Sequence, residues 1–401
     1  KTMKTILKSL IVPAALMTML ASCGGEKQVC ELTKSGLNPA DFDTTYTDTI
    51  RGEKAVKLYT LTNKNGMEVC LTNIGARIVS IVVPDKDGNW HDVVLSYPTA
   101  PDFFLENNLS DFGASIGRYA NRIKNGQYTL DGQTIDLHKN NFGHCLHGGL
   151  RGWQYQVYDA EQNGNTVTFT LVAPDGENQF TGTITAVVSM TLTEDNAINI
   201  DYTATTDQPT IINMTNHSYF NLNGDPSTTI NNHIAQINAD SYTPTDATYM
   251  TTGEILPVEG TCFDFRTPKR IGLNYDGEEQ EPAAPLMVDA PHSGYDHNWC
   301  LNTYADGKGD DTQVCATVWS PTTGIQLDVF TNEPGIQFYT GNFQDGTVVG
   351  KKGIVYPKNA AFCLESQKYP DTPNKADWPS CVLRPAETYH STCTFKFSIH
   401  E

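Results

Sequence analysis

Asn-Gly and Asp-Gly dipeptides recur along this chain, and they constrain its fold more than any other feature. They stand at Asn65-Gly66, Asp87-Gly88, Asn125-Gly126, Asp131-Gly132, Asn163-Gly164 and Asp345-Gly346. Each supplies the positive φ angles that a tight hairpin turn requires. Between them lie short runs rich in Thr, Val, Ile, Tyr and Phe. Residues Thr166–Leu171 alternate at period two, and Thr183–Leu192 do so over most of their length. Ala197–Tyr202 follows through Glu194-Asp195-Asn196, which predicts a hairpin. Such alternation marks strands with one buried face. No stretch beyond short turns keeps a helical period. The pattern predicts an all-β chain, one large antiparallel β-sandwich spanning residues 46–401.

The first residues read differently. Lys1, Lys4 and Lys8 precede a short apolar stretch, Ile11 to Leu20, that contains Pro13. It is too short for a bilayer span of about 20 residues. Leu20-Ala21-Ser22-Cys23 then reads as a signal peptide ending at a lipobox. The expectation is a leader over 1–22, a lipid on Cys23, and a flexible tether over 23–45 beginning with Gly24-Gly25. That reading places the protein in a bacterial cell envelope, touching membrane only through the lipid. Lys plus Arg is 27 against 46 Asp plus Glu, a net charge of −19. Phosphate backbones need a basic surface, so nucleic acid is not an expected partner. Of the other cysteines, Cys70 and Cys363 sit in apolar runs. With an odd number left after Cys23 and no C-x-x-C, few disulfides are expected.

The signatures of several chemistries are missing from the sequence: no P-loop, no G-x-G-x-x-G after a strand, no H-E-x-x-H and no G-x-S-x-G. His144-Cys145-Leu146-His147 has some look of a metal site, but no second ligand cluster accompanies it. Four segments place polar residues inside strand-like runs. Ile116–Ile123 carries Arg118, Asn121 and Arg122, fixed donors for an oxygen-rich ligand or an ordinary ion-paired loop. Leu146–Gly149 sets His147 beside two glycines, which would let backbone approach a ligand. Asn213–Asn221 packs polar groups among apolar ones, so it forms a hydrogen-bonded network or a site. Phe362–Gln367 holds Glu365 in an apolar strand, a costly placement unless that side chain is paired, neutral or facing solvent.

Taken in order, these segments resemble the aldose 1-epimerase (galactose mutarotase) family. The stretches are I-G-R-Y-A-N-R-I at 116–123, L-H-G-G at 146–149 and T-N-H-S-Y-F-N-L at 215–222. Then follow G-Y-D-H-N at 294–298, P-G-I-Q-F-Y-T-G-N at 334–342 and F-C-L-E-S-Q at 362–367, with a similar C-terminal end. The likeness covers about residues 45–401, and the loop around 275–293 departs from it. The resemblance implies a galactose mutarotase-like supersandwich, an open sugar cleft, and interconversion of the α and β anomers of free aldoses such as galactose and glucose. It implies Glu365 as general base, His217 as general acid and His147 as an assisting histidine. Asn121, Arg122, Asp296 and Gln337 would hold sugar hydroxyls. No cofactor, metal or covalent intermediate is implied, and a monomer acting on a monosaccharide is expected.

The residue types suit that reaction. Opening a pyranose removes the proton on O1 and adds one to O5; closure on the other carbonyl face runs the steps backward. Free Glu titrates near 4.3 and free His near 6.5, so an ionised Glu and a protonated His coexist best between those values. Three rivals remain at this point. Asp296 and Glu365 could form a glycoside hydrolase pair. A binding lipoprotein could use the same cleft without catalysis. A hexose-phosphate enzyme could use Arg118 and Arg122.

Overall fold

A computed structural model describes residues 31–108, 110–273, 275 and 294–401. The leader, Cys23, Cys30 and most of the 275–293 loop lie outside the described residues. Helical elements among the described residues are 3₁₀ turns of three or four residues; the rest of the regular structure is strand, and every strand pair in the ladders is antiparallel.

The largest sheet has nine strands. In spatial order they are Asp159–Asn163, Thr166–Ala173, Ile184–Leu192, Ala197–Thr206, Tyr389–Ile399, Ile325–Thr331, Val314–Trp319, Ile234–Ile237 and Lys269–Arg270. Ile184–Leu192 alternates between buried and exposed or half-buried positions, the period-two pattern of its sequence. A four-stranded sheet runs Leu58–Thr62, Glu68–Thr72, Arg77–Pro84, Trp90–Asp92. A five-stranded sheet runs Leu256–Pro257, Ser241–Thr243, Asp296–Cys300, Gly335–Tyr339, Cys363–Gln367. Apolar side chains from all three sheets share one core, including Val69 and Ile81, Val188 and Ile200, Ile336 and Leu364.

The turn dipeptides divide by role. Asp131-Gly132 closes a two-residue hairpin with φ of 49° and 80°, and 65–66, 87–88 and 163–164 also join paired strands. Asn125-Gly126 instead sits in a 3₁₀ turn, and Asp345-Gly346 lies in a loop at the cleft. Their neighbouring segments pair elsewhere, so a turn residue there bends the chain without making a hairpin.

Folded structure begins before residue 46, which corrects the expected tether. Pro39–Phe42 forms a 3₁₀ turn in which the Asn38 side chain accepts from the Ala40 N–H, and Thr44–Asp48 pairs with Gly52–Val56. Leu37 and Phe42 are buried in a second apolar cluster with Phe103 and Tyr97. Burial of these two side chains favours the ordered segment. Cys70, Cys145, Cys300, Cys315, Cys363, Cys381 and Cys393 are buried free thiols.

Candidate active site

The five-stranded sheet builds one wall of a cleft of about 510 Å³. Along Gly335–Tyr339, Ile336 and Phe338 turn toward the core. Gln337 and Tyr339 therefore occupy the opposite face, because successive side chains alternate. On the adjacent strand Leu364 is in the core, which puts Cys363, Glu365 and Gln367 on the other side. Gln337 lies directly across from Glu365, and Tyr339 across from both Cys363 and Asp296. Polar residues thus share one sheet face that is nevertheless buried: Glu365 is 2% and Gln337 2% exposed. A Glu facing bulk solvent is thereby excluded.

Hydrogen bonds order this face. Gln337 Nε2 donates to Asp296 Oδ1 at 2.7 Å, and Arg122 Nη1 lies 3.7 Å from Asp296 Oδ2. Arg122 Nε donates to Asn141 Oδ1 at 2.9 Å. Glu365 Oε2 is buried with no hydrogen-bond partner among the described residues. Its other oxygen, Oε1, is 3.6 Å from His217 Nε2.

His217 ends the strand Thr215–His217, which pairs with Ala114–Ile116. Its ring stacks on Tyr219, centroids 5.0 Å apart, and meets His147 edge-on at 5.2 Å. His147 follows the short strand Cys145–Leu146, paired with Arg122–Ile123. The Asn121 N–H donates to His147 Nδ1 at 3.1 Å. A backbone N–H can only donate, so Nδ1 is unprotonated and Nε2 carries the ring proton. His147 is therefore a neutral donor. Burial pushes its pKa well down, and the charges of His217 and Arg122 act in the same direction. The nitrogens of both histidines and a Glu365 oxygen lie within 4.8 Å of one another, the one set among the described residues that could close on a metal ion. His144 contributes nothing to it: its nitrogens are engaged by the Asn125 N–H and the Thr248 hydroxyl.

Charge is distributed here against the expectation of an ionised Glu and a cationic His. Burial pushes the Glu365 carboxyl well above the usual range, Asp296 adds to the rise, and Arg122 opposes it. Burial also lowers His217 to about 4. The free-residue values near 4.3 and 6.5 assume water that this cleft excludes. With no sugar hydroxyls present, a single proton sits preferentially on Glu365 with His217 neutral.

Two other segments correct the sequence reading. Arg118 is buried, with Nη1 donating to the Thr181 and Gly182 carbonyls at 2.6 and 3.0 Å and to Thr210 Oγ1; it braces the fold and offers no phosphate site. Gly148 has φ 78°, and a Cβ there would stand 2.2 Å from the Gly117 carbonyl oxygen; its freedom serves chain packing. The Asn213–Asn221 segment is both network and site. Asn213 bonds the Ala120 carbonyl and the Lys368 N–H, while His217 faces the cleft. Sequence reasoning missed Tyr219, a flat neighbour for His217, and Asp111. Asp111 lines the cleft and has its own carboxyl pushed up by burial. Tyr219 stands within a matched motif; nothing around Asp111 singles it out in sequence.

A family model described as aldose 1-epimerase matches residues 57–396. The chain is 40% identical over 334 residues to human galactose mutarotase, covering 83% of this chain and 92% of that protein. It is 39% identical over 344 residues to the aldose 1-epimerase of Escherichia coli K12, covering 85% and 95%. Among solved structures it is similar to the GalM/aldose epimerase homologue from C. elegans, with a TM-score of 0.77 at 29% identity, covering 86% of this chain and all of that one.

Proposed function

This chain belongs to the aldose 1-epimerase family, and from that premise we propose how its cleft interconverts the α and β anomers of a free aldohexose such as galactose or glucose. The observation that carries the proposal is a buried carboxylate oxygen, Glu365 Oε2, left without a partner in a polar cleft beside His217. A buried polar atom of that kind costs about 1–3 kcal/mol unless a ligand satisfies it. The O1 hydroxyl of a sugar is a fitting donor.

In this account Asp296, Gln337, Arg122 and Asn121 grip the ring hydroxyls and set C1 between Glu365 and His217. Hydroxyls donating to Glu365 favour its ionised form, which moves the shared proton onto His217. Glu365 then takes the proton from O1 while His217 gives one to O5, and the C1–O5 bond breaks. His147 Nε2–H stabilises negative charge at the oxygen it faces. Rotation about C1–C2 presents the other carbonyl face, and the two groups run in reverse. Protons and electrons balance within the pair, so each turnover restores the starting state. Arg118 on backbone carbonyls argues against a hexose phosphate. The facing His217 and Glu365 do not favour the hydrolase pairing of Asp296 with Glu365.

Freshly dissolved α-D-galactose and α-D-glucose test this in a polarimeter. Faster decay to an unchanged equilibrium rotation is expected; a folded protein that leaves the decay rate alone contradicts it.

The N-terminal sequence supports an envelope location with a lipid on Cys23, where mutarotation would match the anomer released by glycan-cutting enzymes to the one an uptake system takes. A working monomer is part of the same proposal. Labelled palmitate incorporated in cells by the natural sequence and lost in Cys23→Ala is the expected result; equal labelling of both contradicts the anchor.

A further inference from the structure

Asp111 stands in the wall of the cleft, and the proton transfers at Glu365 and His217 make no use of it. The residue is half-buried and lines the same cleft as that pair. Its Oδ1 is nevertheless buried and has no hydrogen-bond partner among the described residues. A buried acceptor left unmet costs free energy that a donor on a ligand recovers.

The chain around Asp111 is tied to His217 through both backbone and ring. The Asp111 carbonyl accepts the Ala114 N–H at 3.1 Å, and the Gly113 N–H donates to the His217 carbonyl at 2.9 Å. Gly113 has φ 67°, and a Cβ there would stand 1.9 Å from the Ile78 carbonyl oxygen, so only glycine fits this bend. The Ser110 side chain bonds the Tyr219 hydroxyl, and the Tyr219 ring stacks on His217. Asp111 is thereby held at a fixed place beside the reacting centre.

Charge suits the carboxyl to accept. Arg77 is fully buried, with Nη1 and Nη2 donating to the Phe112 and Gln154 carbonyls at 2.7 and 2.6 Å. Of the charges around Arg77, that of Asp111 acts on it most strongly. A guanidinium keeps its proton, so it holds Asp111 toward the ionised form while burial pulls the other way. An ionised carboxylate forms stronger hydrogen bonds with hydroxyls than a neutral acceptor does.

Topology says which part of a sugar it meets. Asp111 and Asn121 enter the cleft from the two ends of the strand Ala114–Ile116, and the end nearer Asp111 carries Ala114, the partner of His217. Asn121 and its neighbour Arg122 hold hydroxyls from the other end. Asp111 is left beside the C1–O5 bond that Glu365 and His217 open, and the hydroxyls flanking that bond are O2 and O6. We propose that Asp111 is a further substrate-binding residue, which accepts a hydrogen bond from the hydroxyl flanking the reacting bond and so helps set which aldoses the enzyme prefers. The proposal rests on the mutarotase reading and adds a specificity contact to it. A residue serving only as counter-charge to Arg77 would instead affect every sugar alike.

Polarimetry on D-galactose, 2-deoxy-D-galactose and 6-deoxy-D-galactose tests it, with each catalysed rate set against the uncatalysed rate of the same sugar. The natural protein should show a kcat/KM about tenfold lower for one of the deoxy sugars, the loss of one charge-assisted bond; which sugar it is names the hydroxyl. Asp111→Asn should cost about tenfold on galactose and far less on that deoxy sugar, where the contact is already gone. If neither deoxy sugar falls behind galactose, the contact is overturned by the natural protein alone, whether or not the variant folds. An Asp111→Asn penalty equal on every sugar overturns it as well. A folded natural protein that accelerates neither galactose nor glucose overturns the mutarotase reading, and the contact falls with it.

Discussion

His217 Nε2 faces Glu365 Oε1 across 3.6 Å inside a cleft that buries both side chains. Holding one proton between them, the pair provides one donor and one acceptor whichever group carries it. That is the requirement for moving a proton off O1 and another onto O5 in the same turnover. Two buried groups that titrate together behave as a unit, and the pH behaviour follows from that.

Activity is expected to trace a broad bell. As pH falls, His217 gains a second proton for the pair near 4, and the acceptor is lost. As pH rises through the elevated Glu365 value, the pair loses its proton and the donor goes. The plateau of kcat/KM therefore reaches from just above 4 to well beyond the ordinary carboxylate range. A profile that peaks narrowly between 4.3 and 6.5 contradicts the burial argument.

Asp296→Ala removes a hydroxyl partner and a negative charge that raises Glu365. KM should rise, by about tenfold for one lost charge-assisted bond of roughly 1.5 kcal/mol. The basic limb should move to lower pH, because the carboxyl is then easier to ionise. Unchanged KM with an unmoved limb counts against both roles.

His147→Gln keeps a side-chain N–H, whereas His147→Leu does not. Since the histidine acts as a neutral donor to which Asn121 is bonded, the Gln variant should retain more activity, and neither should shift the acid limb. Steady-state rates from about pH 3 to 8, which span the limb near 4, decide this. An acid limb displaced in both variants would make His147 a titrating participant.

His233 is buried away from the cleft, with Nε2 accepting the Leu222 N–H at 2.9 Å and its pKa lowered to about 3 by burial. Unfolded, it titrates near 6.5, so the unfolded chain binds the extra proton first. Its contribution is intact above 6.5 and is lost as pH falls; at pH 4 the loss is about 3 kcal/mol. Urea titrations should show stability dropping between pH 6.5 and 4, and less steeply in His233→Gln. Parallel slopes in the two proteins would contradict this.

Much of this was legible in the chain. Period-two runs between Asn-Gly and Asp-Gly turns mark the strands, because burial on one sheet face writes itself directly into sequence. Glu365 stood out for the converse reason, a charge where an apolar strand should not carry one. What stayed hidden depends on which strands become neighbours. The rise in the Glu365 pKa comes first from burial in the assembled cleft and then from Asp296, brought alongside by pairing through Gly335–Tyr339. Arg118 reads as a ligand donor until the carbonyls of Thr181 and Gly182 are folded onto it. Asp111 has no local signal at all, and Leu37 and Phe42 read as tether because their partners, such as Phe103, are distant in sequence.

The central claim is that Glu365 moves the proton of the O1 hydroxyl. Exchange NMR between the α and β anomeric protons of galactose at equilibrium measures that step without any coupled assay. The natural protein should show catalysed exchange. Glu365→Gln, of nearly the same shape and lacking a titrating carboxyl, should lose about 10² to 10⁴ of the rate while keeping the same circular dichroism and thermal transition. Exchange within tenfold of the natural protein in a folded Glu365→Gln would contradict the account.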